Sequence, residues 1–423
     1  MIKKTLFVAS ILNFLIVIFP APSYSSDIFS LNLLIDECLT NNPQIQAAKQ
    51  RYEAAQARVR LLRTLEDPKI EYEYNKIIPD MIAGGTGNAG AMRTFQVSQE
   101  IPFPTKLFLR KQSAQKEANA YEQEYKETER KVIKDLKDSY FQLFLNDKKI
   151  EVTKENLGLL SQFIEIANKK YAVNKTGQQD SLKAQVEYSK LSNQFVLLEQ
   201  EKKIFQSMLN SLLNRSQDIE LSNIEEKSNK ALELDEQRIL KLTKENRPEL
   251  RSFKEMLRKA EIDYALAKQE YFPDFMIKYK RQEKNGGVGS WSGMLGITVP
   301  LWFWEKQDSF VKEAHANVGV GKAEYQAEEN MVLFEARSAY ARFEAGKKLV
   351  KIYETGVLPQ AQAALETAQR GYETGAVSFL DLLDSLRTLR EFQIEYFEAL
   401  ANLEIALADL ERTVGVDLSE VKK

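Results

Sequence analysis

A chain of 423 residues whose 59 lysines and arginines balance 61 aspartates and glutamates exceeds one ordinary domain, and it lacks the basic excess of a nucleic-acid binder. Its wealth of Glu, Lys, Gln, Leu and Ala is the composition of long helices. With a single histidine and a single cysteine, neither a His/Cys metal site nor an internal disulfide can be completed.

Lys3 and Lys4 precede the apolar run Leu6–Phe19, after which Pro20 and a string of small residues follow. This predicts a secretory signal over 1–25, cleaved after Ser25, with Ser23 and Ser25 as the small residues that cleavage requires. No cysteine stands directly after that site, so an N-terminal lipid anchor is not expected; Cys38 reads as a small residue on a helix. No later segment approaches the ~18 consecutive apolar residues of a membrane helix. An exported chain of this kind is either soluble or enters a membrane as strands.

The first structural unit is expected over 26–214. Asn42-Pro43 opens a helix that ends before Asp67-Pro68, and strands follow at about 68–78 and 92–101. In them Ile70, Tyr72 and Tyr74 alternate with charged residues, and Phe95, Val97 and Ile101 with polar ones; Gln99 is a misfit. The glycine-rich stretch Pro79–Gly90 between the strands suits a surface loop. From Lys106 to Tyr171 a single helix is predicted, with Leu136, Leu143, Ile150, Leu157, Ile164 and Tyr171 seven apart. At ~1.5 Å per residue it is roughly 100 Å long. A turn over 172–180 sends the chain back through a helix at Ser181–Leu213.

The polar segment 215–246 reads as a linker, and a second unit follows over 247–414 with a tail at 415–423. Pro43 and Pro68 recur 205 residues later as Pro248 and Pro273, and Tyr171–Asp180 recurs 201 residues later as Tyr372–Asp381. Asn174 stands where Gly375 stands, and Asn is the usual non-glycine residue to tolerate positive φ. One unit has therefore been duplicated. Its second copy has strands at about 273–283 and 291–300, where Phe275, Ile277, Tyr279, Trp291, Leu295, Ile297 and Val299 form the apolar face. A long helix is predicted over 306–372 with only Gly and one late Pro as interruptions, then a tip at 373–381 and a helix over Ser378–Thr413. In each unit two stacked shorter helices match one long antiparallel helix, and the leftover segments meet at mid-length as a belt. The expected class is mainly α with a small β part, built from a duplicated helix–strand–strand–long helix–helix unit.

Apolar-out, polar-in alternation over roughly ten residues fits a transmembrane strand, and it fits an ordinary amphipathic strand as well. Four strands cannot close a barrel, and open edges are not tolerated in lipid. Either they pack in a soluble sheet, or several chains pool them.

The duplicated helix starts at Pro43 and Pro248, the strand-exit prolines Pro102, Pro104 and Pro300, and the spacing Tyr372-x-x-Gly375-x-x-Ser378-x-x-Asp381-x-x-Asp384 together resemble the TolC-like outer-membrane factor family. The resemblance covers essentially the whole mature chain. Leu301-Trp-Phe-Trp304-Glu-Lys is similar to its heavy-metal-efflux branch. What the resemblance implies is a homotrimer in the outer membrane of a Gram-negative bacterium, with a twelve-stranded transmembrane β-barrel continued by a long periplasmic α-helical barrel. Its partners would be outer-membrane lipid, a periplasmic adaptor (membrane fusion) protein and an inner-membrane pump of RND, ABC or MFS class. No enzyme activity, cofactor or nucleic-acid partner is expected. The competing reading is a periplasmic coiled-coil adaptor or scaffold.

In a threefold assembly Asp381 and Asp384, three residues apart on one helical face, become rings of carboxylates that favour cations. The resemblance adds Asp180 and Tyr372 to this periplasmic constriction, and Gly375, Ser378, Asn174 and Gly177 are the candidates for adaptor docking at the tips. Asp180 and Asp381 have a plainer alternative, as acids complementing a helix N-terminus. Val377 departs from the arginine that some members carry there. His315 reads as a solvated helical position.

Overall fold

The computed structural model of the chain describes residues 30–77, 90–221, 233, 235–284, 287 and 289–418. The expected signal segment, most of the Pro79–Gly90 loop, the middle of the expected linker and the end of the tail lie outside the described residues.

The same order of elements occurs twice. The first series comprises α1 (Leu31–Asn41), α2 (Pro43–Leu61), β1 (Lys69–Ile77), β2 (Gly90–Ile101), α3 (Pro104–Ala172) and α4 (Gln178–Leu212). The second comprises α5 (Glu236–Asn246), α6 (Pro248–Gln269), β3 (Asp274–Lys284), β4 (Ser290–Thr298), α7 (Asp308–Ile352), α8 (Leu358–Thr374) and α9 (Phe379–Val414). Within the segment read as a linker, α5 is thus a helix, and its Ile239 is buried in a cluster with Phe144 and Val414.

Local chemistry sets the helix ends. Asn42 caps α2 by accepting from the Gln44 and Ile45 backbone N–H groups, and Pro43 occupies the first turn, where a missing N–H costs nothing. Asn42 Nδ2 also donates to the Leu212 carbonyl at 2.8 Å, which seats the α1–α2 joint on the end of α4. At the corresponding joint between α5 and α6, Arg247 Nη1 donates to the Arg412 carbonyl at 3.1 Å, on the end of α9. Gly415 makes that approach possible: its φ is +81°, and a Cβ there would lie 2.8 Å from the Asn246 carbonyl oxygen.

The uninterrupted α3 is the spine. It packs on α2 and α6 toward the sheet and on α4 and α9 toward the tips, while α7 flanks α6 and α9. The helices therefore form one layer of four columns, α2/α4, α3, α6/α9 and α7/α8. Leu136, Leu143 and Ile150 of the expected heptad are buried in it, as are Leu382, Leu389, Leu403 and Leu410 of α9. Nearer the tip α3 buries Leu160, Phe163 and Ala167 instead, between α4 and the α8–α9 hairpin, and Tyr171 is exposed. The helix expected over 306–372 is broken by a π turn at Tyr353–Val357, and another π turn over Phe303–Gln307 precedes α7. Pro359 is the reason for the break: it has no N–H, and in a regular α-helix its ring would strike the Thr355 carbonyl.

The four strands make one antiparallel sheet in the order β1-β2-β3-β4. Register pairs Ile70 with Val97, Val97 with Tyr279, Phe275 with Ile297 and Ile277 with Leu295. The residues expected on the apolar face within β1–β4 thereby fall on one side of the sheet, which near its loop end also carries Arg93, Arg281 and Glu283; Val299 lies just past β4. Gln99 shares that side and is accommodated because its amide donates to the Glu66 carbonyl at 2.7 Å. The other side carries Glu71 and Glu73 on β1 and Lys278 and Lys280 on β3.

Candidate functional site

The sheet and the two helical tips lie at opposite ends of the spine. At the sheet end Ile70, Tyr72, Tyr74, Phe95, Ile277, Tyr279, Trp291, Leu295, Ile297 and Val299 are exposed, and Val97 and Phe275 are half-buried. Water does not reward an apolar face of this extent, so its position next to a polar, charged face of the same sheet marks it as a contact surface. Where the strands leave the sheet, the buried Lys106 donates to Asp274 at 3.0 Å and to Glu270 at 3.3 Å, tying α3 to β3.

Both tips reverse direction through one residue of positive φ, Asn174 at 58° and Gly375 at 85°. After Gly375, the Ala376 N–H returns to the Gly371 carbonyl at 2.8 Å, and Ser378 starts α9. Ser378 Oγ accepts from the Asp381 N–H at 3.3 Å and donates to the Asp381 carboxylate at 2.7 Å. The first bond is the serine half of a capping box; the second joins the two side chains, where a full box would use the Ser378 backbone N–H. Gly177 begins α4 without a side-chain cap. Asn174, Gly177, Gly375 and Ser378, the docking candidates, are all exposed at the ends of the two hairpins.

Of the gate candidates, the structure joins Asp180 to Tyr372 and leaves Asp381 and Asp384 on the exposed first turns of α9. The Tyr372 hydroxyl meets the Asp180 carboxylate at 3.5 Å, its ring packs on Phe379 at 5.2 Å between centroids, and Lys170 Nζ lies 4.2 Å from the ring centre while bonding the Tyr372 carbonyl. Burial, with the Asp180 charge adding to it, pushes the Tyr372 phenol up to about 12, so it stays a donor through neutral pH. Farther from the tip, Arg387 of α9 bonds the buried Glu187 of α4, and that hydrogen bond holds the Glu187 carboxyl below its ordinary value. Asp384 lies one turn before Arg387 and adds to the charge that favours its protonated form.

The sequence reading missed Lys170, Glu187 and Arg387, and also a charged node at mid-length. There the fully buried Arg247 bonds Glu249 at 2.8 Å and Glu335 at 3.0 Å, while Arg412 bonds Glu127 at 3.0 Å and Glu335 at 3.3 Å. Burial raises the Glu127 carboxyl above its usual value. The one available signal was an arginine at the repeat position where the first unit has Asn42. Among the described residues no cluster of His, Cys, Asp or Glu is arranged to hold a metal ion, and no helix is long and apolar enough to cross a membrane. His315 is exposed, 5.4 Å from the Tyr264 ring.

The sequence profile of the outer membrane efflux protein family matches residues 34–215 and 239–416, which is most of the chain. The chain belongs to this family. Among curated relatives it is similar to the cobalt-zinc-cadmium resistance protein CzcC of Cupriavidus metallidurans, 23% identical over 174 residues, covering 40% of this chain and 41% of CzcC. It is similar also to the outer membrane protein OprJ of Pseudomonas aeruginosa, 24% identical over 179 residues, covering 40% of this chain and 37% of OprJ. The chain thus spans about two-fifths of the length of the curated relatives it matches. Solved structures share the fold over nearly its whole length. The outer-membrane channel OprN superposes with a TM-score of 0.80 at 17% identity, covering 91% of this chain and 89% of OprN. CusC gives 0.80 at 18%, covering 91% and 92%, and VceC of Vibrio cholerae gives 0.78 at 17%, covering 92% and 96%. In this outer membrane efflux protein, then, the two-faced sheet and the paired tips are the parts that a channel reading must use.

Proposed function

We propose that three copies of this chain form the exit duct of a tripartite efflux system in the outer membrane of a Gram-negative bacterium. A periplasmic adaptor and an inner-membrane pump of RND, ABC or MFS class would deliver the substrate. The observation that carries this reading is a four-stranded sheet, apolar on one side and charged on the other, continuous with a four-column helical layer. Alone, such a sheet leaves β1 and β4 as open edges whose backbone groups lipid cannot satisfy. Pairing β4 of one copy with β1 of the next removes every edge and yields twelve strands around a polar lumen. The helical layer has matching needs. Val186, Leu197, Ile204 and Met208 form an exposed apolar stripe on α4 at one edge, and Val320, Met331, Phe334 and Leu349 form another on α7 at the opposite edge. Each stripe would be buried against the neighbouring copy's other edge.

At the periplasmic end, threefold symmetry turns Asp381 and Asp384 into carboxylate rings that repel anions and admit cations. Tyr372–Asp180 and Arg387–Glu187 tie the α8–α9 hairpin to the α3–α4 hairpin, and opening requires that these ties slip. The adaptor would meet the tips at Gly375, Ser378, Asn174 and Gly177. Cation-favouring rings and the name of CzcC make divalent metal ions the first substrate class to examine. A periplasmic adaptor or scaffold has no use for a two-faced sheet with two helical hairpins on one layer.

Extraction of outer-membrane fractions tests the reading: the full chain should run as a trimer on unboiled gels and collapse to monomer on heating, and it should open conductance steps in planar bilayers. Recovery as a soluble periplasmic monomer would overturn it. Growth of a strain lacking the gene in graded zinc and cobalt then tests the substrate class, with unchanged tolerance excluding metal ions.

A further inference from the structure

On the charged side of the sheet the two signs are sorted by strand. Register sets Lys69, Ser98, Lys278 and Met294 in one row across β1–β4, and Glu71, Gln96, Lys280 and Ser292 in the next; Glu73, Thr94, Gln282 and Ser290 follow toward the loop end. Lys69 is neutralised by Glu100 at 3.1 Å, whereas Glu71 and Glu73 accept from neutral amides, those of Gln96 at 2.7 Å and Asn75 at 2.9 Å. Neither of these two carboxylates, and neither Lys278 nor Lys280, forms an ion pair among the described residues, and both lysines are half-buried. So β1 carries a negative ridge and β3 a positive one, with β2 between them, and Lys284 carries the positive ridge on toward the loop. At ~4.8 Å per strand the ridges stand about 10 Å apart, close to the Debye length of ~8 Å in physiological salt. That is too far for a contact pair and near enough for each ridge to weaken the other's field.

We propose that Lys278 and Lys280 determine specificity in the duct by cancelling the field of Glu71 and Glu73 inside the barrel, so that sign selection is confined to the tips and a cation that has passed them is released. The inference rests on the reading that three sheets close into one barrel with their charged sides inward. In that barrel β4 meets the next copy's β1, so β3 of one copy is again two strands from β1 of the next. Acid and base ridges therefore alternate around the whole lumen, and every acid ridge has a lysine ridge on both sides. A pore conducts only if a site that admits an ion also lets it leave. Two unpaired carboxylates per chain facing one water-filled lumen would hold divalent cations. Lysine is a compact charge on a flexible stem, so a flanking ridge of it removes that hold without closing the path.

The test uses full-length D381A/D384A protein as the parent, so that the tips do not mask the barrel, in planar bilayers under a KCl gradient. Adding K278Q/K280Q should raise the ratio of potassium to chloride permeability by roughly twofold or more and make magnesium ions block the potassium current. E71Q/E73Q should move the ratio the opposite way, and all four substitutions together should return it to the parent's value. If K278Q/K280Q matches its parent in both readouts, the lysines serve only to solvate the sheet, and the proposal is overturned while the channel reading stands. If neither the wild-type protein nor the parent opens conductance steps, the channel reading falls and takes the proposal with it. Should K278Q/K280Q fail to give trimer, K278C/K280C in the parent decides, because its charge is set after assembly. In the open channel 2-aminoethyl methanethiosulfonate, which restores a positive charge, should recover the parent's ratio, and the neutral methyl reagent should not; equal responses to the two reagents overturn the proposal. Native Cys38 is fully buried and does not compete for the reagent.

Discussion

The two tips share a sequence pattern and a positive-φ reversal, and they hold their polar groups differently. Tyr171 and Tyr372 occupy the same place in the repeat, yet Tyr171 is 46% exposed and Tyr372 is 3% exposed. Lys170 and Gly371 also correspond. In the second tip the small Gly371 lets the chain fold back closely enough to accept from both Ala376 and Val377, whereas in the first tip Lys170 reaches across to Tyr372. Ser378 caps its own helix through Asp381, while Gly177 offers no side chain and Asp180 meets the other hairpin instead. Both tips have the positive-φ reversal that their turns need. The side chains have diverged into one tip that satisfies itself and one that holds its neighbour.

The strongest test of that division removes Asp381 and Asp384 together. With alanine at both, single-channel conductance in planar bilayers is expected to rise several-fold and cation preference to disappear; unchanged values would confine these aspartates to helix capping. Gly375→Val places a β-branched residue at a φ of 85° and should cost about 1–2 kcal/mol, read as a lower thermal midpoint, while Asn174→Gly should be nearly neutral. Ser378→Ala should cost about 1 kcal/mol by the same measurement, and Gly177→Ser should gain a few tenths of a kcal/mol by supplying the cap that the first tip lacks. Equal effects of the two serine changes would erase the contrast between the tips.

The ties between hairpins respond to pH with a defined sign. The Glu187 carboxyl sits below its ordinary value of 4.5 because Arg387 bonds its charged form, so the tie is fully present above that value and is lost as pH falls through the lower folded value. Conductance should therefore be steady between neutral pH and about 5 at this tie, and Arg387→Gln should remove the part of any further change in more acid solution that this tie contributes. Tyr372→Phe is expected to have a modest effect, at the low end of about 0.5–1.5 kcal/mol, because the 3.5 Å contact is long for a hydrogen bond. A double-mutant cycle with Asp180→Asn measures the coupling, and a coupling of zero would reduce the pair to packing.

Much of the architecture was legible because it is written in local periods. Helix starts at Asn42-Pro43 and Arg247-Pro248, strand alternation around Tyr72 and Ile277, and the reversals at Asn174 and Gly375 each depend on a few neighbouring residues. Repetition at fixed offsets then showed that these signals belonged to one duplicated unit. The π turn before Pro359 was partly legible, since the proline announced an interruption but not that the helix would widen and continue.

The sequence by itself therefore determined the long helices, the strand faces and the two tips, because each follows from backbone chemistry or from side-chain period, but not α5, which lies in the segment that read as a polar linker. Tertiary structure alone decided that β2 pairs with β3 across the four intervening helices α3–α6, that Arg247 is buried among Glu249, Glu335 and the Arg412 carbonyl, and that Tyr372 rather than Tyr171 is covered. Those outcomes depend on which distant surfaces meet. Identical tyrosines in matching turns have the same local preferences, and only the neighbour supplied by the rest of the fold distinguishes them.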